Sequence, residues 1–287
     1  MTRRSPRRPF PISRIFIWLG IILLTVWVLF PFYWAVIISL KQPIDEFTLS
    51  FIPVLQFTPT LDHWQSDLFS GSAPVLQAAF NSVVISVGSM IIALGLGTLA
   101  GYGLARFKYR RWGNRNLSMW FLSQQFLPPI VTVIPYFLVM QQLHLLDTKT
   151  ALIIADSTFI MPFAVLVARD AFRSLAGELV EAALVDGCHE FSAFFRVMMP
   201  LVLPALASAG IICFSFSWNE FLYALVLTYQ KAVPLSVYIA GSTTSSQGIQ
   251  FWYIGTRTLI AITIPVILSL VAQRYIVQGL SLGAVKG

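Results

Sequence analysis

The sequence predicts an all-α polytopic membrane protein of about six transmembrane helices with both termini cytoplasmic, and three observations carry that prediction. Hydrophobic residues fill 57% of the 287 positions and charged residues 11%, with a mean hydropathy of +0.76, whereas a soluble domain is about one quarter charged. Apolar runs recur near 14–40, 77–104, 116–141, 150–169, 201–228 and 251–277, and roughly 20 such residues span a bilayer as a helix. The third observation is where the cations fall. With the N-terminus inside, the inner segments collect Arg3, Arg4, Arg7, Arg8, Arg14, Arg106, Lys108, Arg110, Arg111, Arg115, Arg169, Arg173, Arg196, Arg274 and Lys286, which is 15 of the 19. The outer segments hold Lys41, Lys149 and Lys231, and Arg257 lies within the last run. Basic loops are retained on the cytoplasmic side. The net charge of +7 therefore reports topology; no basic face with interleaved aromatics points to nucleic acid.

Taken in order, residues 1–13 form a basic N-terminus that resembles a signal-peptide n-region. The apolar stretch behind it far exceeds the usual 7–15 residues and lacks a small-residue cleavage site, so the first run is expected to remain as an anchor. Segment 41–74 carries Asp45, Glu46, Asp62 and Asp67 beside Lys41 and is rich in Pro and aromatics; it reads as an outer excursion with a short interfacial helix. In the second run Gly97 and Gly101, flanked by Gly95 and Gly103, let another helix approach closely. In the third, Gln124 and Gln125 precede Pro128-Pro129, where a proline break frees backbone groups. A polar loop, 170–200, follows the fourth run; Pro200 and Pro204 open the fifth. The transmembrane domain is thus expected over 14–277, with a cytoplasmic tail over 278–287.

Within the polar loop Val180, Leu184, Gly187 and Phe191 recur at helical spacing, predicting one helix through 178–191 with an apolar stripe. Glu178 and Glu181 sit in its first turn, where carboxylates complement the helix dipole. Gly187 either admits another backbone or bends the element. Periodicity alone fits any amphipathic surface helix. The full spacing is more specific: Glu181-Ala182-Ala183, Asp186-Gly187 and then Val197-Met198-Met199-Pro200 resemble the loop by which importer permeases of the ABC superfamily dock on their ATPase subunits. Over most of its length the chain is similar to MalG-like subunits of carbohydrate-uptake importers. It departs from their pattern at Cys188, where Ala is usual, at Ala176, where Pro often precedes the helix, and at Val197 and Met199 in place of Ile and Leu. The C-terminal Gln273-Arg274-Tyr275-Ile276-Val277-Gln278-Gly279-Leu280 followed by Gly283-Ala284-Val285-Lys286-Gly287 resembles the tail of the same subunits.

That resemblance implies a MetI-like type I importer fold in the cell inner membrane. It implies ATPase coupling through Glu181, Ala182, Ala183, Asp186 and Gly187, and a tail contact through Gly283, Ala284, Val285, Lys286 and Gly287. The expected partners are a MalF-like permease, two MalK-like ATP-binding subunits, an extracytoplasmic solute-binding protein and the lipid bilayer. The chain has no Gly-x-x-x-x-Gly-Lys-Ser/Thr loop, so ATP and Mg are expected on the partner ATPases, with no cofactor and no catalysis here. The alternative is a secondary transporter or channel without an ATPase; inverted repeats, usual in many such carriers, are not evident.

Charges inside spans usually face protein or a water-filled cavity. Asp156, Glu220 and Arg257 each fall six to eight residues from the outer end of their run, which is roughly 9–12 Å deep. They are candidates for pathway lining together with Trp218 and Asn219, since sugars are held by hydrogen bonds and aromatic stacking. The competing reading is an ion pair of Arg257 with Asp156 or Glu220. His63, His144 and His189 are far apart, so no metal is assigned, and Cys188 and Cys213 are expected at different depths, unbridged.

Overall fold

The computed structural model describes residues 11–45, 47–70, 74–175, 177–242, 244–245 and 248–284. It comprises two compact units, Met1–Gly71 with Thr243–Ile260 and Ser72–Ser242 with Ala261–Gly287.

The first unit begins with α1 (Pro11–Leu40), an unbroken apolar helix. None of its 18-residue hydropathic window is buried, so its side chains are offered to lipid or to another chain. A 3-10 turn (Pro43–Asp45) and a loop lead to α2 (Asp62–Phe69), the short helix expected in the 41–74 segment. Lys41 is buried behind it, donating to the Thr48 carbonyl at 2.6 Å and standing 5.1 Å from the centroid of the Trp34 ring.

The second unit contains α3 (Pro74–Arg106), α4 (Gly113–Gln124), α5 (Pro129–Gln142) and α6 (Lys149–Ser174). It continues through α7 (Glu178–Val185), α8 (Glu190–Ala193), a π turn (Phe194–Met198), α9 (Met199–Trp218), α10 (Leu222–Leu227) and α11 (Leu235–Ser242). A two-residue hairpin, Thr244–Ser245 with Gly248–Ile249, precedes α12 (Phe251–Ala284), whose residues from Ala261 onward belong to this unit.

The helices α3 and α6 meet through small residues. A Cβ added at Gly97 would stand 2.7 Å from the Ala164 Cβ, and one at Gly101 2.6 Å from the Ala168 Cβ. Any side chain there would force the two backbones apart, which explains the glycine pair in the second run. The third run is not a straight crossing: α4 and α5 are bent by 87°. Pro128 sits at the N-cap of α5 in extended conformation and Pro129 opens it, so neither supplies an N–H to continue α4. Among the described residues, five helices are long and apolar enough to cross a membrane, or six if the bent pair forms one span.

Apolar burial among the described residues of this unit includes three clusters. Ile85, Val133, Leu152 and Tyr223 join α3, α5, α6 and α10; Ala93, Ile160, Ala164 and Cys213 join α3, α6 and α9. Phe172, Val180, Phe194, Met198 and Val202 join α6, α7, the π turn and α9. The last cluster anchors the polar loop to the spans.

Candidate coupling loop and pathway residues

The single helix expected through 178–191 is two helices. α7 ends at Val185, and the chain turns before α8 starts at Glu190. Gly187 has φ +85°, the Cys188 amide donates to the Ala183 carbonyl at 3.0 Å and the Gly187 amide to the Leu184 carbonyl at 3.1 Å. That is a Schellman ending, which satisfies the last carbonyls of a helix and needs a residue that tolerates the left-handed region. A Cβ at Gly187 would meet nothing within 4 Å, so this glycine serves conformation rather than close approach.

The predicted stripe is also divided. Val180 is 1% exposed and Ala183 is buried beside it, but Leu184 is exposed and Phe191 is 74% exposed. Glu181, Ala182, Val185 and Asp186 face outward as well, Val185 at 87%. Val180 holds α7 to the core through Phe172 and Phe194, and residues 184–187 at the turn are exposed. Pro200, at the start of α9, lacks the N–H to extend the preceding turn upward, and the π segment lies directly before it. Ala176 lies outside the described residues, as does the side chain of Glu178. In the tail, Gly283 and Ala284 end α12 as helical backbone, while Val285, Lys286 and Gly287 lie outside the described residues.

Of the five polar candidates within spans, three share one space. Asp156, Asn219 and Glu220, together with Ser217 and Phe159, line a cavity of about 440 Å³. Asp156 is buried and accepts a hydrogen bond from the Ser217 hydroxyl through Oδ2; its Oδ1 has no hydrogen-bond partner among the described residues. Glu220 accepts from the amides of Tyr223 at 2.8 Å and Ala224 at 3.0 Å, so it caps α10 while bordering the cavity. Asn219 ends α9 and donates to the Ser215 carbonyl at 2.8 Å.

Trp218 does not line that cavity. It is buried, stacked on Phe214 at 5.6 Å, and its Nε1 donates to the Ala261 carbonyl at 3.2 Å. The expected pairing of Arg257 with Asp156 or Glu220 is replaced, among the described residues, by a pair within the arginine's own unit. Its partner is Asp67 of α2, with Nη2 3.0 Å from Oδ1 and Nε 3.1 Å from Oδ2, and its guanidinium carbon lies 4.5 Å from the centroid of the Tyr253 ring. Both members are almost fully buried.

Two further carboxylate roles escape the sequence reading. Charge alone puts Asp67 in the excursion and indicates no partner for it. Asp147, in the turn between α5 and α6, accepts from the amides of Tyr229, Gln230, Lys231 and Ala232 at 2.9–3.2 Å and donates its own amide to the Leu227 carbonyl at 2.8 Å. Burial alone raises its pKa, but the four amides outweigh it and hold the carboxyl below its ordinary 3.8. The one sequence signal for this cage is an acid followed by Thr-Lys at a helix start.

Residues 93–282 match the family model described as a binding-protein-dependent transport system inner membrane component. The chain is 37% identical over 265 residues to the trehalose transport system permease protein SugB of Mycobacterium tuberculosis, covering 90% of this chain and 93% of that one. It is 33% identical over 258 residues to a probable ABC transporter permease of Sinorhizobium fredii, with 90% of each covered. In fold it is similar to a chain of a bacterial ABC transporter involved in the import of the acidic polysaccharide alginate, with TM-score 0.76, 22% identity, 94% of this chain and 99% of that one covered. The all-α MetI-like permease fold expected from the sequence is the fold found.

Proposed function

The chain belongs to the binding-protein-dependent transport system inner membrane components, and we propose that it forms part of the pathway of an ATP-driven importer for a sugar, polyol or glycoside. It is the permease component and not the ATP-hydrolysing enzyme. The observation that carries the coupling role is the turn at Gly187, where Glu181, Val185, Asp186 and Phe191 are all exposed around a helix rooted by Val180 in the core. An exposed apolar patch rimmed by charge marks a docking face. Closure of an ATPase pair around α7 would then be passed through Phe172 and Phe194 to α6 and α9 as rigid-body rocking between inward- and outward-facing states.

The preference for a carbohydrate rests on relatives such as the trehalose permease. The cytoplasmic placement of both termini and of this loop rests on the cation distribution. In this reading Glu181, Ala182, Ala183, Asp186 and Gly187 touch MalK-like ATPase subunits that hold ATP and Mg, and Gly283 through Gly287 reach toward the ATPase interface. A MalF-like permease completes the pore, and an extracytoplasmic binding protein delivers the substrate. Asp156, Asn219 and Glu220 line the pathway, Trp218 holds them from behind, and Arg257 holds the outer segment through Asp67.

Cross-linking tests the reading directly. With cysteine at position 185 or 191 in the assembled transporter, a short bifunctional reagent should join this chain to an ATP-binding subunit. Purification of a complex without any ATPase, transporting solute in liposomes, would overturn it in favour of a secondary carrier.

A further inference from the structure

Between Asp67 and Asp147 the sequence contains no acidic residue, and in the middle of that stretch the α3–α4 connector carries Lys108, Arg110 and Arg111, with Arg115 in the first turn of α4. The ion pairs found among the described residues, Arg169 with Asp170 and Arg257 with Asp67, involve none of them. The connector nevertheless has a defined shape. Asn114 Nδ2 donates to the carbonyls of Leu104 and Phe107 at 2.7 and 2.6 Å, its Oδ1 accepts from the Tyr109 amide at 3.0 Å, and Gly113 at φ +67° turns the chain into α4. A built loop, not a loose tail, displays these cations.

An open cavity of about 650 Å³ lies against the same loop, walled by Tyr109, Trp112, Leu117 and Trp120 and rimmed by Arg110 and Arg111. Trp112 and Trp120 are both at least half exposed. Arginines that line the same cavity as aromatic and apolar side chains complement a molecule with an anionic head and a hydrocarbon body. Arginine binds phosphate in a bidentate fork, and tryptophan settles at the boundary between headgroups and acyl chains. The bed continues along α4, the first half of the bent span, which places it at the membrane surface.

We propose that the α3–α4 connector is a binding site for an anionic phospholipid, its phosphodiester held by Arg110 and Arg111 and an acyl chain lying against Trp112, Leu117 and Trp120. The site requires a bilayer but not a particular direction of threading, so it stands apart from the orientation and coupling readings above. The charge complementarity, four cations without an acid in the surrounding sequence, selects an anionic lipid over a zwitterionic one.

The test is photolabelling of the intact transporter in nanodiscs, using phosphatidylglycerol and phosphatidylcholine with the same photoactivatable acyl chain, followed by peptide mapping. Phosphatidylglycerol should label 107–120 preferentially. The Arg110→Gln, Arg111→Gln pair should lower that preference by about fivefold per arginine removed, while Arg110→Lys, Arg111→Lys retains most of it. Equal labelling by both lipids, or a preference untouched by the glutamine pair, would overturn the site. So would labelling that emerges only after the ATPase subunits are stripped, because a protein would then cover this surface.

Discussion

Two of the turns that use left-handed backbone, one at Asp147 with φ +57° and one at Gly187 with φ +85°, are finished to different degrees. The Asp147 turn closes on its own chain: its carboxylate is buried and takes four amides of the 229–232 segment. The Gly187 turn satisfies only its helix end, and the side chains around it remain exposed. A surface whose polar groups are already answered has a structural task; one with apolar side chains left outward is open to a partner. The same division separates Asp67 with Arg257, a paired clasp, from Asp156, one of whose carboxylate oxygens is unanswered among the described residues.

The comparison breaks first at Gly187 if it is wrong. Gly187→Trp and Glu181→Lys should abolish uptake while the membrane complex still assembles, and Glu181→Lys should change its thermal stability little. Gly187→Ala should be intermediate, since a Cβ in the left-handed region costs about 1–2 kcal/mol. Normal uptake by both large substitutions, measured with radiolabelled substrate in cells, would remove the coupling role.

The finished regions should answer in stability instead. Removing one member of the buried Asp67–Arg257 pair, as in Asp67→Asn, leaves an uncompensated charge and should cost about 3–5 kcal/mol. The double variant Asp67→Asn, Arg257→Gln should recover part of that in a detergent melting experiment. If the single variant melts like the parent, the clasp contributes nothing.

Asp147→Asn comes next, at about 2–3 kcal/mol for charge-assisted hydrogen bonds weakened to an amide. Its pH dependence distinguishes it. Because the folded carboxyl titrates below its ordinary 3.8, the stabilisation is complete above that value and is lost as pH falls through the lowered folded value. The gap in melting temperature between parent and Asp147→Asn should therefore be constant near neutrality and narrow below pH 3.8; a gap that does not narrow would assign the effect to packing.

What was legible in the sequence follows the same physics. The spans were visible because crossing a bilayer needs only length and apolarity, and the break at Pro128-Pro129 because proline cannot continue a helix; the 87° bend depends on what α4 and α5 touch. The turn at Gly187 was obscured because Leu184 and Phe191 keep helical spacing across a point where the helix has ended. The Asp-Gly pair at 186–187, following a helical run, was the available signal. Arg257 was recognised as needing an acid, but its partner lies 190 residues away, and depth estimates along separate runs favoured Asp156 and Glu220. Asp147 could not be read at all, since its ligands are backbone amides, which every sequence possesses.

The smallest effects are expected at the cavity, where regions of both kinds meet. Glu220 is committed through both oxygens to the start of α10, and Asp156 through one to Ser217, so neither is wholly available to a passing solute. Asn219, exposed beside them, donates only to the carbonyl four residues behind it. Asn219→Ala should therefore raise the substrate concentration for half-maximal uptake a few-fold, the scale of one neutral hydrogen bond of about 1 kcal/mol, with maximal rate and assembly preserved. Ser217→Ala frees the second Asp156 oxygen and should shift the same parameter, although Ser217 is buried and a purely structural role would appear as lost stability instead. If both variants transport with unchanged concentration dependence, this cavity is part of the helix packing, and the solute path must run along surfaces shared with the partner permease.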